Sequence, residues 1–542
     1  MESLTLKSSF LRISHLPSIC LAIGYFIYWP ELWFLKNKPG STSMLASSLF
    51  ACIAFFTIIK RRNNIYSFCN WIKVNWYRQA LFSRSYILIG VIFVIFISAI
   101  VFYASLLPVH LSQEFDALNY HLTIPRQHLI LKTFTHIKWS HADLFLTPLD
   151  FALSPYWFVT SLPNKFPQFL FLIGLILVSV NLVRRFSQNN FASICLIVFA
   201  IFGAHFIGIQ MGTAMLDIAA AYLFISALDS FLAANASMAA LEFSFFLWSK
   251  PFIPIQTLLV VIVIILARLS LKSSGFRDVS QNLGAHIAAI KKMLVPFIFF
   301  SLIIAGPFLV KSTYYAATPL YPLAPGLINI NKDINKGSRS WKSISASAKA
   351  HIFNAKKGYG YTKSPVDFLR HFWLIAVPEK GVNNRYDYPL GLMYLFFLGP
   401  FLYMLFSLIK KKQVSFLALF ITTYWLSWWF GSQQSRFLYV PILLMMIMVS
   451  SEMKAQSKVF MAAVIISLLF TGISVFRAHR NDLGKSRYEV LRPKDRAIIE
   501  MNKDYLGAGR KDTVELDYFD AAYACFPVKV TQEVSPWVLH TD

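Results

Sequence analysis

Residues Tyr86 to Leu107 read "YILIGVIFVIFISAIVFYASLL" and carry no charge. As a helix rising 1.5 Å per residue the run is about 33 Å long, enough to cross the roughly 30 Å hydrocarbon core of a bilayer. Hydrocarbon has no water to satisfy backbone amides, so a lone run of this kind is stable there only as a helix. Outward from it, similar runs recur along the chain: Leu16–Leu35, Met44–Ile59, Gln168–Val183, Phe191–Ile209, Asp217–Ala233 and Met238–Ser249. They continue as Phe252–Ala267, Met293–Val310, Pro389–Ile409, Val414–Phe430, Phe437–Ser450 and Val459–Phe476. Together these predict an all-α polytopic membrane protein with about 13 transmembrane helices.

Composition points the same way. Hydrophobic residues make up 56% and charged residues 14%, whereas soluble domains carry about 25% charged residues. The mean hydropathy is +0.54. A formal charge of +25 would suit nucleic acid, but no motif for it appears, and cytoplasmic loops of membrane proteins are rich in Lys and Arg. The expected partner is therefore the membrane, with no nucleic acid. The five cysteines have neither metal-ligand spacing nor a disulfide framework. The first apolar run contains Pro30 and Glu31 and no small-residue cleavage site, so a retained helix is expected there.

Basic residues set the expected orientation. Lys60, Arg61, Arg62, Lys73, Arg78 and Arg84 follow the second run, and Arg184 and Arg185 the fourth. Arg268, Lys272, Arg277, Lys291 and Lys292 follow the eighth, and Lys410, Lys411 and Lys412 the tenth. With thirteen crossings all of these share one face, which the positive-inside rule makes cytoplasmic. The N-terminus is then inside and the C-terminus outside. The expected organisation is two extra helices and a cytoplasmic loop over 1–85, a seven-helix module over 86–310, an outer loop over 311–388, a second membrane module over 389–476 and an outer tail over 477–542. A long first outer loop spans 108–167. In the tail, Thr513 to Tyr518, "TVELDY", alternates like a strand and Pro493 to Leu506 suits a helix, which predicts a small α/β appendage.

Chemistry is expected where the Tyr86 run ends. Ser112 to Pro125 reads "SQEFDALNYHLTIP" and places two acids, Glu114 and Asp116, at a membrane exit. In a helix starting near Ser112, Asp116, Asn119, Tyr120, Thr123 and Gln127 share one side, and Leu111, Phe115, Leu118 and Leu122 supply apolar surface. The plain alternative is a solvated loop acid followed by an interfacial helix. The functional alternative is a carboxylate held to accept a proton from an acceptor hydroxyl, with Asp116 as the base and Glu114 as its stand-in.

The pattern Asp116, Tyr120, His121, Leu122, Pro125 resembles the first extracytoplasmic loop of GT-C superfamily glycosyltransferases, as found in bacterial members. Further stretches follow in that family's order. "TAMLDIAAAYLFISAL" is similar to its second acidic position and selects Asp217; "LWSKPFIPI" resembles a lysine-bearing outer hairpin and selects Lys250. "ATPLYPLAPG" resembles an Asn-Pro-x-Tyr-Pro loop, with Thr318 in the Asn position and Tyr321 as its tyrosine. "GSQQSRFLYVPILLMM" resembles a Gln-x-Arg-Tyr motif leading into a late helix, giving Gln434 and Arg436, with Phe437 for tyrosine.

That resemblance implies a GT-C fold in an integral protein of a bacterial inner membrane. It implies transfer of a sugar from a polyprenyl-phosphate-linked donor to a lipid, glycan or protein acceptor, generally with inversion. Tyr120, His121, Asp217, Lys250, Tyr321, Gln434 and Arg436 would bind substrate. A divalent cation is left open, with Asp116, His141, Asp143 and Asp150 as candidate ligands. Each residue has a plainer reading too: Asp217 suits a helix N-terminus, and Lys250 and Arg436 suit snorkelling cations. Two rival functions stand beside the transferase. An O-antigen polymerase or ligase would rely on loop arginines, and a secondary transporter would show an inverted repeat and charges near the midplane.

Overall fold

The computed structural model describes residues 13–33, 39–78, 81–107, 117, 121–136, 141–144, 147–157, 165–187, 190–211, 213–250, 253–273, 277–278, 283–316, 318–319, 360–377, 386, 388–431, 433–452, 458–480, 513–515 and 529–531. Glu114, Asp116, Tyr120, Tyr321, the side chain of His141 and the helix expected over 493–506 lie outside them.

Helices fall on all thirteen apolar runs. They are α1 (Leu16–Trp33), α2 (Pro39–Lys60), α4 (Leu81–Leu106), α7 (Phe166–Phe186), α8 (Phe191–Gly203) and α10 (Asp217–Leu232). Then come α11 (Ala236–Leu247), α12 (Ile253–Ser273), α13 (Leu283–Ala316), α15 (Leu392–Lys410), α16 (Phe416–Phe430), α17 (Tyr439–Glu452) and α18 (Lys458–His479). Between them lie α3 (Arg62–Arg78), α5 (Thr123–Leu131), α6 (Pro148–Trp157), α9 (His205–Gln210) and α14 (Pro365–Leu374). Among the described residues six helices are long and apolar enough to cross a membrane, and six shorter helices are also apolar. This is the build of an all-helical membrane protein. The strands are fragments: β1 (Arg277–Asp278) pairs with β2 (Gln413–Val414), and β3 (Thr513–Glu515) with β4 (Lys529–Thr531), both parallel. The "TVELDY" strand is thus present over its first three residues.

Local chemistry explains the turns between helices. Asn190 caps α8, Asn235 caps α11 and Ser415 caps α16, each side chain accepting a backbone N–H of the first turn. At the opposite end Lys165 N–H donates to Ser105 O and closes the long loop between α4 and α7. The bundle therefore has a loop end, carrying 108–167, and a basic end. At the basic end Arg184 lies over the Phe68 and Trp71 rings of α3, at 5.8 and 5.9 Å.

α17 runs through the interior, its side chains from Tyr439 to Ser450 all buried. It packs against α7, α8, α10, α15 and α16, so the two expected modules interlock. The two helices read from the sequence as additions differ from one another. α2 exposes Phe55, Phe56 and Ile58, whereas α1 buries Leu21, Tyr25 and Tyr28. α1 also approaches α6 so closely that a Cβ on Gly24 would sit 2.0 Å from Ala152 O. Only glycine permits that approach.

Candidate functional site

Asp217 is the first residue of α10, and Lys250 follows the end of α11. The two helices run antiparallel and pack along their length, so the hairpin returns the chain to its starting level. There Lys250 Nζ donates to the Asp217 carboxylate. The Asp217 side chain is 4% exposed and that of Lys250 18%, so the carboxylate is sealed while its cation reaches the surface.

Arg436 arrives from the other half of the chain. It sits in the 3-10 turn Ser435–Leu438 that leads into α17. That turn is fixed by backbone bonds: Ser435 N–H donates to Tyr386 O at 2.8 Å, and Trp428 Nε1 to Gln434 O at 2.7 Å. Arg436 Nε donates to Gln434 Oε1 at 3.2 Å. The Phe437 ring lies beneath both cations, 5.2 Å from Lys250 Nζ and 5.9 Å from the Arg436 guanidinium carbon. The Asp217 carboxylate is within electrostatic reach of Arg436 and of His121 as well as Lys250. Asp217, Lys250, Gln434, Arg436 and His121, spread over more than half the sequence, thus meet at the loop end.

His121 comes from the long loop. Leu122 N–H donates to Ala117 O, five residues back, a π-type turn that precedes α5. His121 Nδ1–H donates to Asp150 Oδ1. The other oxygen of Asp150 accepts from Thr147 N–H at 2.9 Å and Thr147 Oγ1 at 2.8 Å. Asp150 is therefore the third residue of α6 reaching back to the cap, as in a capping box.

Asp143 occupies a different cluster. Its Oδ1 accepts from Lys311 Nζ at 2.5 Å and lies 2.6 Å from His128 Nε2; its Oδ2 accepts from His136 Nδ1–H at 3.0 Å. Lys311 Nζ also lies 2.9 Å from His128 Nε2 and 4.5 Å from the Phe134 ring centre. His128 donates its Nδ1–H to Thr133 O at 2.6 Å. Burial pushes the Asp143 carboxyl up, but His128 and Lys311 outweigh it and hold the group well below the usual carboxylate range. Burial pushes His128 down, against the opposing pull of the Asp143 carboxylate.

The cation proposals from sequence look different in this light. Among the described residues no group of three or more His, Cys, Asp or Glu is arranged to hold a metal ion. Asp143 already faces the ammonium of Lys311, and Asp150 faces His121 and the start of α6. Thr318 is buried, and its carbonyl accepts from Ser312 Oγ at 2.7 Å.

Lys311, His128 and His136 were not singled out from sequence. The apolar run was expected to end at Val310, with Lys311 opening an outer loop. Instead α13 continues to Ala316 with Lys311 inside it, because Asp143 and Phe134 satisfy the ammonium. A lysine directly after an apolar run of membrane length was the available signal.

Compared with known proteins, the chain matches no family model, no curated protein and no solved structure.

Proposed function

We propose that the chain is a membrane glycosyltransferase of GT-C type. It crosses the membrane thirteen times, with its basic end and N-terminus in the cytoplasm and its loop end and C-terminus outside. The donor is a sugar on a polyprenyl phosphate, and the acceptor hydroxyl gives its proton to Asp116. The glycosyl bond to phosphate breaks as the new bond forms at the anomeric carbon, with inversion. Arg436 and Lys250 stabilise the charge that develops on the departing phosphate.

One observation carries this reading: Asp217, Lys250, Gln434, Arg436 and His121, selected from four separate stretches of sequence, converge at the loop end of the bundle. A fork of guanidinium donors beside a second cation suits an anionic headgroup held at the membrane surface. The acids at the basic end, Asp229 and Glu242, are sealed among partners.

The test is substitution of the base. Asp116→Asn keeps the shape but cannot take the proton, so transfer from a polyprenyl-phosphate sugar in membranes should fall by about a hundredfold to ten-thousandfold. Full activity in Asp116→Asn with loss in Glu114→Gln would move the base to Glu114. Full activity in both would remove this mechanism.

A further inference from the structure

The long loop is held by two His–Asp contacts arranged in mirror order. His121 meets Asp150, and His128, seven residues later, meets Asp143, seven residues earlier. His128 lies within α5 and His121 in the turn before it, so both contacts bear on one short segment. The two contacts run in antiparallel order and fasten that segment to Asp143 and Asp150 at two points.

The two fastenings differ in what lies beyond them. His121–Asp150 borders the Asp217, Lys250 and Arg436 cluster. His128–Asp143 is held by Lys311 from α13. Lys311 is 6% exposed, Asp143 3% and His128 0%, so the ion pair is shielded from water and salt. Aromatic rings close around it. Phe134 stands over Lys311, and Phe134, Phe151 and Phe308 pack edge to face with centroids 4.9 to 5.6 Å apart. α1 adds a further tie, since Tyr28 Oη donates to Pro125 O at 2.9 Å within α5.

We propose that Lys311 is a positioning residue: through Asp143 and His128 it fixes α5, and so sets where His121 stands at the site. A buried carboxylate left without its cation is strongly unfavourable, so the far fastening opens when Lys311 is lost. α5 then keeps His121–Asp150, the Tyr28 bond and the packing of Ile124 and Leu129, but its His128 end is loosened, and the segment gains freedom where it meets the site. The significance of this placement rests on the glycosyl-transfer reading; the placement itself does not.

The test is hydrogen–deuterium exchange by mass spectrometry on the full chain in lipid nanodiscs. Lys311→Met keeps the length of the side chain and removes its charge. Peptides covering His121 and α5 should lose at least tenfold in protection, while α17 peptides stay protected. The double variant Lys311→Met with Asp143→Asn removes both charges and should recover most of that protection. A local packing role would not be rescued in this way.

Protection lost only around 136–144 and 305–316, with His121 peptides unchanged, would overturn the proposal. So would a double variant no better than Lys311→Met. Should Lys311→Met not assemble, Asp143→Asn alone removes the carboxylate that links Lys311 to His128 and should loosen the same His121 and α5 peptides; unchanged protection there would overturn the proposal. A separate measurement of polyprenyl phosphate binding to the unmodified protein distinguishes the outcomes. Absent binding with the exchange pattern intact would count against the transferase reading alone.

Discussion

α10 carries an acid near each end, and their surroundings differ. At the loop end Asp217 meets Lys250, beside Arg436 and the half-buried Phe437 ring. At the basic end Asp229 accepts from Arg185 Nε at 3.1 Å and Asn181 Nδ2 at 3.2 Å. Next to it Glu242 of α11 accepts from Ser18, Ser226 and Ser230 at 2.7, 2.5 and 2.7 Å, and lies 2.8 Å from His15 Nδ1. Glu242 and Asp229 are fully buried. Each acid of α10 has a cation that reaches the surface, Lys250 at 18% and Arg185 at 22% exposure. The clusters differ in charge: at the basic end two acids face Arg185 and His15 and accept from three serine hydroxyls, whereas at the loop end one acid faces both Lys250 and Arg436. A charge-balanced network bonded by hydroxyls holds helices together; a cluster with more cations than acids suits a place where an anion can exchange in.

The largest expected effect tests the sealed cluster. Glu242→Ala would leave His15 and three serine hydroxyls without their acceptor, and should destabilise the protein by about 3–5 kcal/mol. Thermal unfolding of the detergent-solubilised protein measures it, and Glu242→Gln should cost clearly less. A loss no greater for Glu242→Ala than for a surface alanine would show that the network holds nothing.

A smaller effect is expected at the loop end. Asp217→Asn keeps a hydrogen bond to Lys250, which reaches water, so the stability loss should be about 1 kcal/mol. Its main effect should be on affinity: with the competing carboxylate gone, the protein should bind inorganic phosphate more tightly. Unchanged phosphate affinity would mean that Asp217 and Lys250 serve packing alone.

The smallest effect concerns Lys363, which donates to Trp429 O at 2.6 Å and Gly431 O at 3.1 Å and so caps α16 in trans. Burial lowers its ammonium to about 8. Because that is below an ordinary lysine, the free amine appears earlier as pH rises. Acylation of Lys363 should follow a curve with its midpoint near pH 8, read by peptide mass spectrometry. A midpoint near that of other lysines would place this segment in open water.

Much of the fold was legible because membrane helices announce themselves by apolar length, and every run acquired a helix. What the runs could not tell is which helices face lipid. α17 and α12 are both apolar all round, yet α17 is buried and α12 exposes Leu258, Leu259 and Leu266. At the site, Asp217, Lys250 and Arg436 were selected through motif order, whereas Lys311–Asp143 and His15–Glu242 were not. Those partners stand 168 and 227 residues apart and belong to no local pattern. Glu242, an acid inside the apolar run Met238–Ser249, proves to be the centre of the sealed network.

The central claim is that the loop-end cluster holds a lipid phosphate. The direct measurement is titration of the full-length protein in nanodiscs with a polyprenyl phosphate. Binding should saturate, weaken by about tenfold or more in Arg436→Ala, and recover in part in Arg436→Lys, which restores the charge without the fork. Ser18→Ala, in the sealed cluster, should leave it unchanged. Non-saturable binding, or equal affinity in Arg436→Ala and the unmodified protein, would contradict the account.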